Sequence, residues 1–252
     1  MASLTDVVQL LQNTLNPAAF NDYCPNGLQV AGKQEVRLVV SGVTASQVLI
    51  DAAIEAGADA ILVHHGWFWK SESPCVVGMK RQRLKALLAN DISLLAYHLP
   101  LDAHPELGNN ARLAALMGWG SLEPLYPDNP RQVGNITLLE RPVSPTALMA
   151  RLTEVLGRVP QHIPGASADI RRIGFCTGAA QSFIDQAVVM GCDAYISGEI
   201  SEPTVHSARE AGIHYFAAGH HATERYGVQA VGDFLAKVLG VEHRYIEIPN
   251  PV

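Results

Sequence analysis

From Glu35 onward the chain alternates short β-branched apolar runs with longer stretches whose apolar positions recur at helical spacing, the pattern of strands joined by crossover helices. Arg37-Leu38-Val39-Val40-Ser41 predicts a strand, Ser46 to Ala56 a helix stopped by Gly57, and Ala60-Ile61-Leu62-Val63 the next strand. Lys80 to Ala89 then predicts a helix, Ile92 to Tyr97 a strand, and Asn110 to Met117 another helix ending before Gly118. The pattern breaks between Glu123 and Arg131, where Pro124, Pro127, Asp128, Asn129 and Pro130 predict a linker. Two α/β lobes are therefore expected, residues 1–125 and 126–252.

The second half repeats parts of the first. Ile50-Asp51 and Gly57-Ala58-Asp59-Ala60 match Ile184-Asp185 and Gly191-Cys192-Asp193-Ala194 at one constant offset. Ile92 to Tyr97, followed by His98 and Asp102, is similar to Ile213 to Ala218, followed by His220 and Glu224. Both read as strand, histidine, three residues, acid. A duplicated unit predicts a pseudo-symmetric pair of lobes whose strand ends face a shared cleft, where a ligand site is expected.

Composition narrows the function. Of 252 residues 48% are hydrophobic, enough for two modest cores. Lys and Arg number 18 against 24 Asp and Glu, and the net charge of -6 argues against nucleic acid as a primary partner. The start, Met1-Ala2-Ser3-Leu4-Thr5-Asp6, lacks a signal peptide's basic and apolar regions, and no apolar run approaches the ~20 residues that span a bilayer. A cytoplasmic protein with no membrane partner is expected. Cys24, Cys75, Cys176 and Cys192 form no C-x-x-C pair, so they read as reduced and structural.

The chemistry concentrates in histidines and carboxylates. Val63-His64-His65-Gly66 sets two imidazoles at a strand end, and Gly66 lets the chain turn there without a Cβ. Adjacent strand residues point opposite ways, so the pair serves one site if the backbone twists, or two metals approached from two sides; the second fits better. His98-Leu99-Pro100-Leu101-Asp102 also follows a strand, and Pro100 predicts a loop there rather than a helix. In Gly219-His220-His221-Ala222-Thr223-Glu224-Arg225 a helical pattern begins that runs to Leu239, placing His220 and Glu224 on one face. A carboxylate there can bridge two cations that imidazoles cap. Any one of the ten histidines is as well explained by packing or surface exposure; the ordered aggregate carries the metal reading. His98 and His221 are assigned orienting and proton-shuttling roles, while His104, His162, His206, His214 and His243 read as structural or surface residues. Cys176 reads as a packed side chain, and no Walker A loop, G-x-G-x-x-G or G-x-S-x-G motif is present. Trp67-Phe68-Trp69-Lys70 could stack a base or form an aromatic contact between lobes or subunits.

His64-His65-Gly66, His98-x-x-x-Asp102 and Gly219-His220-His221-Ala222-Thr223-Glu224-Arg225, in that order, resemble the signature segments of the NIF-three-like proteins, often labelled GTP cyclohydrolase 1 type 2 homologues. The resemblance spans the chain and is to the short bacterial form. It implies two similar α/β lobes, a di-metal site in the cleft between them and a toroidal homohexamer. Carried over, His65 and Asp102 bind one metal, His64 and His220 the other, and Glu224 bridges; the sequence matches at all five.

The leading expectation is a hydrolase with two divalent metals per subunit, zinc, iron or manganese, acting on a nucleotide or related small heterocycle, such as opening the imidazole ring of GTP with loss of formate. His98 or His221 would move the proton. The alternative is a metal-binding, metal-delivery or regulatory scaffold without turnover. A two-metal phosphoesterase would need cationic clamps, for which Lys70, Arg112 and Arg225 are the candidates.

Overall fold

The structure, a computed structural model, describes residues 1–129 and 133–252. They divide into two units, Met1–Leu107 with Gly227–Pro249, and Gly108–Tyr226 with Asn250–Val252. In chain order the first unit contains β1 (Ala2–Ser3), α1 (Leu4–Leu15), β2 (Gly27–Val30), β3 (Glu35–Val36), β4 (Leu38–Thr44), α2 (Gln47–Glu55), β5 (Ala60–His65), α3 (Gly78–Ala89), β6 (Ser93–Ala96) and α4 (Leu99–Ala103). The second contains α5 (Asn109–Met117), β7 (Leu122–Pro124), β8 (Asn135–Val143), α6 (Pro145–Leu156), β9 (Gln161–Ile163), β10 (Ile170–Cys176), α7 (Ile184–Val189), β11 (Ala194–Ser197), α8 (Glu202–Ala211) and β12 (His214–Ala217). Helix α9 (His220–Leu239) starts in the second unit and ends in the first, which β13 (Glu242–Tyr245) completes.

The first unit's main sheet has the order β13-β4-β5-β6-β2, parallel except for β2 at one edge. Its central strands are buried along nearly their whole length because helices cover both faces. Val39, Ala60, Leu62, Leu95 and Tyr97 pack toward α1 and the second half of α9, while Val40, Ile61, Val63, Leu94 and Ala96 pack toward α2 and α3. The period of two thus sorts alternate residues into two separate cores. The second unit repeats the scheme around β7-β8-β10-β11-β12-β9, in which β10, β11 and β12 are parallel. Ile173, Phe175, Ala194, Ile196 and Phe216 line one core, and Cys176, Tyr195, Tyr215 and Ala217 the other.

Turn chemistry recurs in both units at the positions the sequence repeat marks. Gly57 and Gly191 close α2 and α7 at φ of 73° and 67°, a backbone that favours glycine. Just beyond them Asp59 Oδ2 accepts from the backbone N–H groups of Arg37 (2.9 Å) and Leu38 (3.2 Å). Asp193 Oδ2 does the same for Arg171 and Arg172, both at 2.8 Å. Each aspartate therefore clamps the start of one parallel strand from the start of the next, which explains its place in the repeat. Burial would raise the Asp59 carboxyl, but these N–H donors and Lys33 outweigh it and hold its pKa below the usual value.

Three expectations shift. The units divide at Leu107/Gly108 and within α9 rather than at residue 125, because α5 packs into the second unit's core and β13 pairs with β4 in the first. The stretch expected as a linker begins in strand β7, which pairs with β8, so Pro124 lies at a sheet edge where its missing N–H is tolerated; Pro130 and Arg131 lie outside the described residues. Finally, His98 to Asp102 is not a loop. Pro100 sits in the first turn of α4, where no helical N–H is required, so the proline starts the helix instead of breaking it.

Candidate metal centre

In the first unit the ligand candidates stand at the carboxyl ends of β5 and β6 and on α4. His64 and His65 leave opposite faces of β5, yet their ring centroids lie 4.5 Å apart. Neighbouring groups close in directly behind them: a Cβ on Gly66 would overlap Gln29 Oε1 and stand 2.5 Å from Ala96 Cβ. His64 Nδ1 lies 2.9 Å from the Tyr97 carbonyl oxygen. A carbonyl only accepts, so Nδ1 carries a proton, and Nε2 lies 3.6 Å from Asp102 Oδ1. His65 Nδ1 lies 3.3 Å from Thr44 Oγ1.

His98 joins this group. Its ring lies 5.1 Å from that of His64 and 5.8 Å from that of His65, and ligand nitrogens of the three lie within 4.8 Å of one another. Its Nδ1 is 2.7 Å from Asp22 Oδ1. Asp22 also accepts from the N–H of Leu99 and from Asn26, whose own carbonyl takes the His98 N–H, so the turn into α4 is fixed from both sides. Burial pushes the Asp22 carboxyl up, but His98 and Asn26 more than reverse this and hold it at about 2. Asp22, Cys24 and His98 also lie close enough to suit a cation, but Asp22 is already committed to these donors. Burial and the Asp22 charge push the Cys24 thiol up to about 12, far from the thiolate a metal needs.

In the second unit the site begins on α9. His220 and Glu224 share its first turn with Nε2 and Oε2 2.9 Å apart, as their spacing predicted. His220 Nδ1 is 2.7 Å from Glu199 Oε1, so a carboxylate flanks each ring nitrogen. Burial would lower the His220 pKa, but Glu224 first and Glu199 second raise it to about 9. The loop after β10 is fitted to this pair. Gly178, at φ of 71°, donates its N–H to Thr223 Oγ1 (3.1 Å), and a Cβ there would overlap Glu224 Oε1 and stand 2.9 Å from its Cδ. A Cβ on Gly198 would stand 2.7 Å from His220 Cα. The backbone is thus drawn against a half-buried imidazole and its buried carboxylate partner.

His221 projects about 100° around the helix from His220, and its backbone N–H donates to the Val252 carbonyl. Trp67 is buried with its indole N–H on the Ala45 carbonyl, whereas Trp69 stands edge-on to His98 at 5.1 Å. Of the cationic candidates, Arg225 binds the Leu156 carbonyl and the Tyr226 hydroxyl and Lys70 reaches Asn21, so both serve local structure.

Two residues that hold the candidate ligands, Asp22 on His98 and Glu199 on His220, escaped the sequence. Asp22 lies in an aperiodic segment, Asn21 to Asn26, that gives no signal. Glu199 gives one, because the sheet registers Val39↔Ala60 and Ile173↔Ala194 carry the repeat's offset to the strand ends and place Glu199 where the first unit has His65. The same logic corrects the second repeat. Ser93 and His214 are equivalent by register, which aligns His98 with Gly219, so His220 and Glu224 stand one residue out of step with His98 and Asp102.

The sequence model of the Duf34/NIF3 (NGG1p interacting factor 3) family matches residues 2–251. The chain belongs to this family. It is similar to a Pseudomonas aeruginosa protein named GTP cyclohydrolase 1 type 2 homolog, with 57% identity covering 99% of this chain and 98% of that one. It is also similar to a solved structure described as protein ybgI of unknown function, at 50% identity and a TM-score of 0.95, covering 99% of this chain and all of that one. A solved structure from Thermus thermophilus is 30% identical with a TM-score of 0.91, covering 99% of this chain and 100% of that one. The α/β fold is that of the NIF3 family, and its clustered His, Asp and Glu side chains could hold metal ions. Among the described residues no helix is long and apolar enough to cross a membrane.

Proposed function

We propose that the two half-sites make one dinuclear centre and that this Duf34/NIF3 protein is a metal-dependent hydrolase of a nucleotide or related heterocycle. His65 and Asp102 would hold one divalent ion and His64 and His220 the other, with the Glu224 carboxylate available to both. One observation carries the reading: in both units an imidazole has its Nδ1 occupied, on Tyr97 for His64 and on Glu199 for His220, so that Nε2 faces a buried carboxylate. Such outer partners fix the tautomer and orientation of metal-binding histidines. The residues therefore fit zinc, iron or manganese by donor chemistry.

Divalent ions supply Lewis acidity there, polarising a substrate oxygen and favouring ionisation of water. The chain supplies the rest. His98, aligned by Asp22, takes up or returns the proton at Nε2, with His221 the second shuttle. Trp69 narrows the space beside His65 and His98, which restricts water there. GTP, opened at its imidazole ring with loss of formate, is the substrate that the relatives' name suggests. The subunits assemble as a toroidal homohexamer in the cytoplasm.

The test is elemental analysis of protein purified without chelator, beside GTP turnover read as formate. Two metals per chain are expected in the wild type and loss of both in Glu224→Ala, with formate release abolished in His65→Ala. Unchanged metal in Glu224→Ala refutes the bridge, and a fully metallated protein without GTP turnover refutes the reaction.

A further inference from the structure

A cavity of about 300 Å³ opens in the second unit at the carboxyl ends of β11 and β12, where α/β sheets commonly bind ligands. This is the lower end of the range of roughly 300–1,000 Å³ for small-molecule sites. Its polar lining is Glu199, Arg158 and Gln161; Ile200, Pro251 and Val252 add apolar wall. Glu199 is the residue that accepts from His220 Nδ1, and its side chain remains 32% exposed. A carboxylate has about four lone-pair sites, so one bond to His220 leaves acceptor capacity. Arg158 is set by Gly219, at φ of 101°, where a Cβ would stand 2.6 Å from Nη1. One of its five N–H donors goes to the Pro251 carbonyl at 2.8 Å.

We propose that this cavity binds a flat heterocycle whose edge carries adjacent N–H donors beside a carbonyl, the edge that guanine presents. The inference rests on the nucleotide reading above and names the part of the substrate held here. A carboxylate wall selects donors and disfavours phosphate, and an arginine selects the carbonyl. Apolar side chains suit the ring faces. One carboxylate alone makes a poor cation site, so a neutral ligand with both kinds of group fits best. Because Glu199 touches both the cavity and His220, ligand and metal share a group, and each must alter the other's affinity by the same factor.

The test is calorimetric titration of guanosine, inosine and adenosine into the metal-free protein. Guanosine should bind best. Inosine, which lacks the exocyclic amine, and adenosine, which lacks the donor pair, should each bind about tenfold or more weakly. Glu199→Gln should weaken guanosine by roughly 10–100-fold and erase its advantage over inosine. Ile200→Trp, which fills the cavity without touching the polar groups, should abolish binding while keeping the wild-type metal content and melting temperature. Equal guanosine binding by wild type and both variants, or adenosine binding as tightly as guanosine, overturns the proposal. GTP turnover unaffected by Ile200→Trp also overturns it while sparing the hydrolase reading; guanosine binding without any turnover does the reverse.

Discussion

Gly178→Ala tests the architecture of the second half-site most sharply. The added Cβ would overlap Glu224 Oε1 and stand 2.9 Å from Cδ, against the ~3.5 Å or more of an ordinary carbon contact. The carboxyl must therefore retreat by at least about 0.6 Å, which exceeds the ~0.2 Å tolerance of a metal–ligand distance. Glu224 is only 3% exposed, so little room exists to absorb the shift. Alanine at φ of 71° adds backbone strain of about 1–2 kcal/mol, and the steric conflict roughly another 1–3 kcal/mol. Gly191→Ala separates the two terms, because it stands at φ of 67° with nothing within 4 Å of the new Cβ. It should lower Tm by roughly 2–8 °C and leave metal binding unchanged. Gly178→Ala should lose more stability and bind metal about 10–100-fold more weakly, the scale on which a displaced ligand shell acts. Thermal denaturation and equilibrium dialysis with elemental analysis measure both quantities. If the two variants match in metal affinity, the close approach of Gly178 to Glu224 has no functional weight.

Other outcomes follow from the same geometry. Because His220 has a pKa raised to about 9, its proton must leave when a metal takes Nε2; below pH 9 the affinity should fall by roughly tenfold per pH unit, with proton release seen in calorimetry across buffers of different ionisation enthalpy. A pH-independent affinity between about 6 and 8 would remove His220 from the ligand set. The depressed carboxyl of Asp59 gives stability that is present above its unfolded value of 3.8 and lost as pH falls through the lower folded value. Asp59→Asn should therefore cost about 1–3 kcal/mol near neutrality, and urea titrations should show the gap closing in acid. Gly232→Ala would drive a Cβ into the His243 ring, which is held between Ser41 Oγ and Asp233 Oδ1 at 2.8 Å each; a loss of at least about 2 kcal/mol is expected, and a wild-type melting curve would contradict that packing.

Local chemistry was legible wherever short-range physics decides it. Short β-branched apolar runs mark β4, β5 and β6, and the glycine stops at Gly57 and Gly191 follow from the residues alone. His220 and Glu224 meet because helical spacing demands it. Long-range pairing was not legible: nothing in Glu242 to Tyr245 announces a partnership with Leu38 to Ser41, and so the boundary at residue 125 failed. Pro100 misled because a proline's effect depends on which turn of a helix it occupies. Glu199 was overlooked because the repeat was read by residue type, whereas the sheet preserves position and here exchanges an imidazole for a carboxylate.

The return of β13 to β4 has a consequence for how the molecule is made. Strand β4 pairs on one side with β5 and on the other with β13, encoded some two hundred positions later. A fragment ending near residue 125 would lack Val228, Val231, Leu235 and Val241 from its core and would expose a raw sheet edge. Such edges template intermolecular pairing. The unit begun first on the ribosome is thus completed only after the second has emerged as far as Tyr226, and truncated products should collect as aggregates rather than as a soluble half.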